Sequence, residues 1–203
     1  MKNNTPFIVF EGIDGSGKST QAGMLYDYIV DIGSQAYLGF EPTDEKWGKE
    51  IRNILRGSEF PSGTKMVDLF IKDRHDDANL FIKPNLQNGI PVILDRYYYS
   101  NAAYQGAMGV DVDYILSENK KQNFPEPHRV YLIDITPETA LERIQKRNQS
   151  PEKDLFEKKS FLETVYTIYN LLADTQDNFI KINGDNSIEN IHKEIIDDFS
   201  KTF

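Results

Sequence analysis

The chain has 203 residues and a formal net charge of −9, from 32 acidic against 23 basic side chains. That length suits one domain with an ordinary apolar core, and the acidic balance argues against a general nucleic-acid binder, whose contact face would be basic. The absence of cysteine excludes disulfides, thiolate metal sites and a cysteine nucleophile, and no apolar run approaches the ~18 residues a membrane span needs.

Residues 1–6 lack the apolar stretch and cleavage site of a signal peptide, so a cytoplasmic protein is expected. Phe7-Ile-Val-Phe10 reads as the first strand, followed by a helical pattern over 18–32 and a second strand over 36–40. Helical patterns over 45–56 and 64–88 lead to a third strand, 91–94, and another over 111–122 to a fourth, 130–135. Helical patterns over 137–148 and 157–175 precede the fifth strand, 179–182, and a last one covers 187–200. Continuous apolar strands separated by helices predict a single α/β domain over 1–203, with a parallel sheet covered on both faces. Ligands of such sheets collect beyond the carboxyl ends of the strands.

The first strand runs into Gly12-Ile-Asp-Gly-Ser-Gly-Lys18-Ser19, a full match to the phosphate-loop pattern. Glycines let successive backbone N–H groups converge on phosphate oxygens, and the helix that follows offers its positive end. Lys18 is expected at the β- and γ-phosphates and the Ser19 hydroxyl on Mg²⁺, with Gly12, Gly15, Ser16, Gly17 and Thr20 completing an ATP site. Gly15 to Thr20 also approaches a dinucleotide fingerprint, with Glu41 where a ribose-binding acid would stand. Thr20 occupies its third glycine position, however, and Lys18-Ser19 is what a triphosphate with Mg²⁺ requires. A guanine-reading Asn-Lys-x-Asp is absent, since Asn119-Lys120 continues as Lys121-Gln122. Asp95 ends the third strand, where a carboxylate can serve Mg²⁺, and Arg96 beside it can hold a phosphate bidentately.

Five segments, in this order, resemble the thymidylate kinase family. They are Phe10-Glu-Gly-Ile-Asp-Gly-Ser-Gly-Lys-Ser-Thr-Gln21, Glu41-Pro-Thr43, Asp68-Leu-Phe-Ile-Lys-Asp-Arg74, Asp95-Arg-Tyr97 with Ala103-Tyr-Gln-Gly106, and Asp154-Leu-Phe-Glu157. The resemblance implies a P-loop NTPase three-layer sandwich with a short mobile lid near 143–157, and transfer of phosphate from ATP to dTMP with Mg²⁺. It also implies a homodimer built on helices that include 64–88, although apolar periodicity there fits burial against the sheet equally well. Neither a membrane nor a nucleic acid is expected as partner.

For the acceptor, the resemblance implies Asp14 at the 3′-hydroxyl, Arg96 at the phosphate, and Asn101, Tyr104 and Gln105 around the base and deoxyribose. Phe70 and Arg74 lie four apart on a helical pattern and can share one face. A phenyl ring gives a base a stacking platform, and a guanidinium, which only donates, suits thymine O4 and repels the cytosine amino group. Taken alone, Phe70 also reads as a core aromatic and Arg74 as a surface arginine.

Residues 143–153 carry four cations, Arg143, Lys146, Arg147 and Lys153. Composition fits a solvated helix end as well as a lid. Because the loop position that carries an arginine in some family members is Gly15 here, the resemblance assigns catalytic charge to Arg143 and Arg147. Leu155 stands where many members have a lid arginine, and Phe40 precedes Glu41 where some carry an arginine. Two other readings stay open: a deoxynucleotide kinase with relaxed base choice, and a nucleotide-binding module without catalysis.

Overall fold

The computed structural model describes residues 5–57, 61–148 and 155–203, without the side chains of 147, 148 and 155–158. Five strands form one sheet: β1 Phe7–Glu11, β2 Tyr37–Phe40, β3 Val92–Asp95, β4 Arg129–Asp134 and β5 Phe179–Asn183. All pairs are parallel, in the order β2-β3-β1-β4-β5, so β1 lies at the centre with Phe10 opposite both Asp95 and Tyr131.

The sheet is apolar on both sides because successive side chains of each strand point to opposite faces. Phe7 and Val9 pack on one face with Ala102, Ile115, Val165 and Tyr169. Those residues come from α5 Tyr98–Ala107, α6 Val112–Lys121 and α8 Leu155–Thr175. Ile8 and Phe10 pack on the other with Leu25 and Ile29 of α1 Lys18–Asp31 and with Ile191 and Ile195 of α9 Ile188–Thr202. Helices thus cover both faces, as the alternation of patterns predicts. Among the described residues no helix is long and apolar enough to cross a membrane.

Between β2 and β3 the chain forms α2 Lys46–Arg56, α3 Gly63–Asp77, a π-helical turn Ala78–Ile82 and α4 Lys83–Gln87. The single helix expected over 64–88 is therefore interrupted. Pro84 lacks the amide that would bond the Leu80 carbonyl, and the wide turn lies just ahead of it. α7 Pro137–Asn148 joins β4 to α8, and Lys159 of α8 bonds Glu138 of α7 at 2.7 Å.

Helix α5 is the element that sequence patterning misses. Its face toward the core mixes Tyr99, Ser100, Asn101 and Gln105 with alanines, so no apolar stripe marks it. No side chain of its own caps it either; that role falls to Glu11, at the end of β1.

Candidate active site

The phosphate loop fills the turn between β1 and α1, at the carboxyl edge of the sheet. Gly12, Gly15 and Gly17 have φ values of 145°, 86° and 99°, a left-handed backbone that side-chain-bearing residues seldom adopt. A Cβ on Gly15 would sit 2.9 Å from the Ala140 carbonyl and 3.2 Å from Ile144, because α7 runs directly against the loop. The first turn of α1 has no side-chain cap, which leaves its amides for an anion.

Lys18 is nearly buried, 3.8 Å from Asp14. Burial and then the nearby Arg96 guanidinium push its pKa down to about 8, with Asp14, Asp95 and Glu11 opposing. The Ser19 hydroxyl donates to Asp95 Oδ2. The second Asp95 oxygen is buried with no partner among the described residues. A hydroxyl and a carboxylate with a spare oxygen, side by side next to the loop, fit Mg²⁺ bound chiefly by the phosphates it accompanies.

Arg96 links this site to a second pocket. Its backbone takes φ 75°, a strained conformation for a residue with a side chain. Several contacts hold it there. Its amide donates to the Phe10 carbonyl at 2.9 Å, Nη1 to Ser100 at 2.8 Å and Nη2 to Asp14 at 2.6 Å, and the Tyr104 ring lies 5.0 Å from the guanidinium carbon. Burial works against the Asp14 carboxylate, but Arg96 and then Lys18 hold its pKa below the ordinary value.

Behind Arg96 lies Glu11, fully buried, accepting from the amides of Tyr97 and Ser100, the Ser100 hydroxyl and the Tyr169 hydroxyl at 2.6–3.1 Å. Burial raises its pKa, with Ser100, Arg96 and Tyr169 opposing. Sequence reasoning passed over Glu11; the available signal was a carboxylate ending an otherwise wholly apolar strand.

The second pocket, about 170 Å³, is bounded by Asp14, Glu41, Phe70, Arg74, Arg96 and Tyr104, among others. Phe70 and Arg74 meet on one face of α3 as their spacing predicts. Phe70 is only partly covered by a small cluster of Ile51, Met66 and Leu69, which leaves it at the pocket wall. Gln105 is on the wall as well. Asn101 is buried one turn earlier, donating to Gln105 Oε1 at 2.6 Å, with its own Oδ1 unpartnered among the described residues. It supports Gln105 and does not border the cavity.

Arg74 is no surface arginine. It is fully buried, its Nε and Nη2 donating to the two oxygens of Glu41 and its Nη1 to Asn119 Oδ1 at 2.6 Å. The Tyr97 ring centre lies 5.0 Å from the guanidinium carbon. Burial pushes the Glu41 carboxyl up and the guanidinium opposes it; two-point pairing with a group that never deprotonates keeps the pair ionised. Two more buried acids flank the pair. Asp73 accepts from the Thr43 amide and hydroxyl at 2.8 and 2.6 Å. Asp77 has a buried oxygen without a partner among the described residues, and burial together with Asp73 pushes its pKa up to about 7.

Arg143 is expected over the migrating phosphate, but its contacts are elsewhere. Its guanidinium donates to the Gly184 carbonyl at 2.9 Å and the Ser16 carbonyl at 3.4 Å. It stands at the rim between the phosphate-loop cavity and a neighbouring one of about 340 Å³ lined by Thr20, Gln21 and Ile188. The reason is the position of α7, pressed against Gly15. The Arg147 side chain and residues 149–154 of the expected lid lie outside what the structure describes. Another cavity, about 470 Å³, is lined by Asn119, which bonds Arg74, and by Tyr98 and Phe124, whose ring centres lie 5.9 Å from its guanidinium carbon, but by no phosphate-loop residue.

An anion cradle joined through one arginine to a second, largely apolar pocket ringed by a few charged groups can take two substrates side by side, the layout of a phosphotransferase of the P-loop class. The family model for thymidylate kinase matches residues 10–195, and the chain belongs to that family. A thymidylate kinase of Desulfotalea psychrophila is 39% identical over 97% of this chain and 95% of its own length. One from Leptospira borgpetersenii is 36% identical over 100% and 98%, and a probable thymidylate kinase of Archaeoglobus fulgidus 37% over 93% and 91%.

Proposed function

We propose that this protein transfers the γ-phosphoryl group of ATP to dTMP, giving dTDP, as a homodimer in the cytoplasm. The observation that carries the reading is Arg96, whose guanidinium borders both the phosphate-loop cavity and the second pocket. A cation there can hold the acceptor phosphate within reach of the donor. Leu80, exposed on the π turn, supports the dimer, which light scattering tests.

The acceptor's own phosphate oxygen is the nucleophile, already ionised near neutral pH, so no protein base is required. It attacks the γ-phosphorus in line as the bond to the β–γ bridging oxygen breaks and ADP leaves, while Lys18 and the loop amides neutralise the donor phosphates and Arg96 positions the acceptor. Asp14, tied to Arg96, is available to the 3′-hydroxyl, and the Tyr104 ring to the deoxyribose. The base stacks on Phe70, with Arg74 donating to O4. Ser19 and Asp95 would hold Mg²⁺, which supplies charge neutralisation at the phosphates. Cationic help from Arg143 and Arg147 on lid closure belongs to the same reading.

Release of ADP on adding dTMP to protein with Mg·ATP tests this directly, compared across dTMP, dUMP, dGMP and dCMP. No ADP release with any acceptor leaves a binding module only, and a higher rate with dGMP than with dTMP rejects thymidylate as the substrate.

A further inference from the structure

Resting on the reading that Arg74 donates to the base, we propose that Asn119 is a positioning residue for base selection. Arg74 has five N–H groups. Three are spent, two on Glu41 and one on Asn119, which leaves two for a ligand. The Glu41 carboxylate grips one edge of the guanidinium and fixes its plane, but a pair gripped along one edge can still rock about it. Asn119 takes the far nitrogen, Nη1, and removes that freedom.

The amide of Asn119 is itself held the right way round. Its Nδ2 donates to the Ile115 carbonyl one turn back on α6 at 2.9 Å, so Oδ1 is the atom that faces Arg74. The side chain is 3% exposed. Glu41, at the end of β2, and Asn119, near the end of α6, therefore hold Arg74 from two separate elements. Base choice depends on where the remaining N–H groups point, because a hydrogen bond weakens steeply as its angle opens.

A ligand change separates positioning from mere structural support. In 4-thio-dTMP the O4 acceptor is replaced by sulfur, a weak acceptor, with the rest of the nucleotide unchanged. Wild-type protein is expected to prefer dTMP about tenfold in kcat/KM. In Asn119→Leu that preference should fall below about threefold, with the loss in KM for dTMP and not in kcat or KM for ATP. Asn119→Ala should do the same and serves if the leucine variant does not fold. Asn119→Asp, which keeps the acceptor oxygen, should retain the preference. Equal loss for both nucleotides in the leucine or alanine variant, with the preference intact, overturns the inference and leaves the Arg74 reading standing. A wild-type enzyme that does not distinguish the two nucleotides overturns that reading, and the inference with it.

Discussion

Glu11 on β1 caps helix α5 through the amide and hydroxyl of Ser100, 89 positions further along the chain. The same hydroxyl receives a hydrogen bond from Arg96. One buried carboxylate thus fixes both the start of the helix that carries Tyr104 and Gln105 and the arginine that borders both pockets. Glu11→Leu takes the shared acceptor from four donors. The Ser100 amide keeps the Tyr97 carbonyl at 3.0 Å, and the Ser100 and Tyr169 hydroxyls keep each other at 2.8 Å. The Tyr97 amide and one hydroxyl are stranded, at an expected cost of about 3 kcal/mol. Urea denaturation measures this. A change under about 1 kcal/mol would show that the network contributes little.

Lys18→Ala should lower turnover by at least ~10²-fold. It should leave stability within about 1 kcal/mol, because burial and Arg96 already disfavour its charge. Single-turnover assays with a melting curve on the same sample separate the two. Near-normal turnover in the folded variant would remove the phosphate loop from the mechanism.

Arg74 needs a gentler substitution than alanine. Deleting its side chain strands Glu41 in the interior, which costs ~3–5 kcal/mol whatever the arginine does for the base. Arg74→Lys keeps the charge and loses the fork, so KM for dTMP should rise about tenfold or more while KM for ATP holds. The preference for dTMP over dCMP should narrow, because an ammonium drawn to Glu41 no longer aims a donor at position 4 of the base, so the favourable contact and the donor–donor clash weaken together. Equal shifts for both substrates would place the base somewhere else.

Asp77 predicts a pH dependence. Its pKa stands near 7 in the folded protein against an ordinary 3.8. The folded state therefore binds the extra proton between those values. This contribution to stability is complete below about 4 and is lost as pH rises through 7, at about 1.4 kcal/mol per unit of difference between the two states. Asp77→Asn, which keeps a neutral side chain of the same shape, should flatten the stability–pH curve between about pH 4 and 7. A curve unchanged in the variant would assign that slope to other groups.

The sheet and the phosphate loop were legible in the sequence because both are written locally, as apolar runs of four to six residues and as a contiguous motif. Helix α5 was not, because its cap is a carboxylate on another strand and its inward face carries the polar groups of a site. The interruption at Ala78–Ile82 was hidden for the opposite reason: helical patterning runs through it, and only Pro84 hints at a wider turn. Phe70 and Arg74 could be paired by spacing, but their partners could not. Glu41 and Asn119 lie 33 and 45 positions from Arg74, and neither belongs to a pattern that points to a guanidinium. Arg143 was assigned from the resemblance and from Gly15 in the loop, and neither could show that its guanidinium rests on the Gly184 and Ser16 carbonyls at the rim of the phosphate-loop cavity.

The contact between Gly15 and the Ala140 carbonyl also bears on how such a site can evolve. An arginine cannot enter the loop at this position by one substitution, since α7 occupies the space and the backbone there is left-handed. For any larger side chain to enter here α7 must first withdraw, and α7 is also the helix that carries Arg143, so a change at residue 15 is coupled to a second segment of the chain. A library varying residue 15 alone should return active proteins only with the smallest side chains.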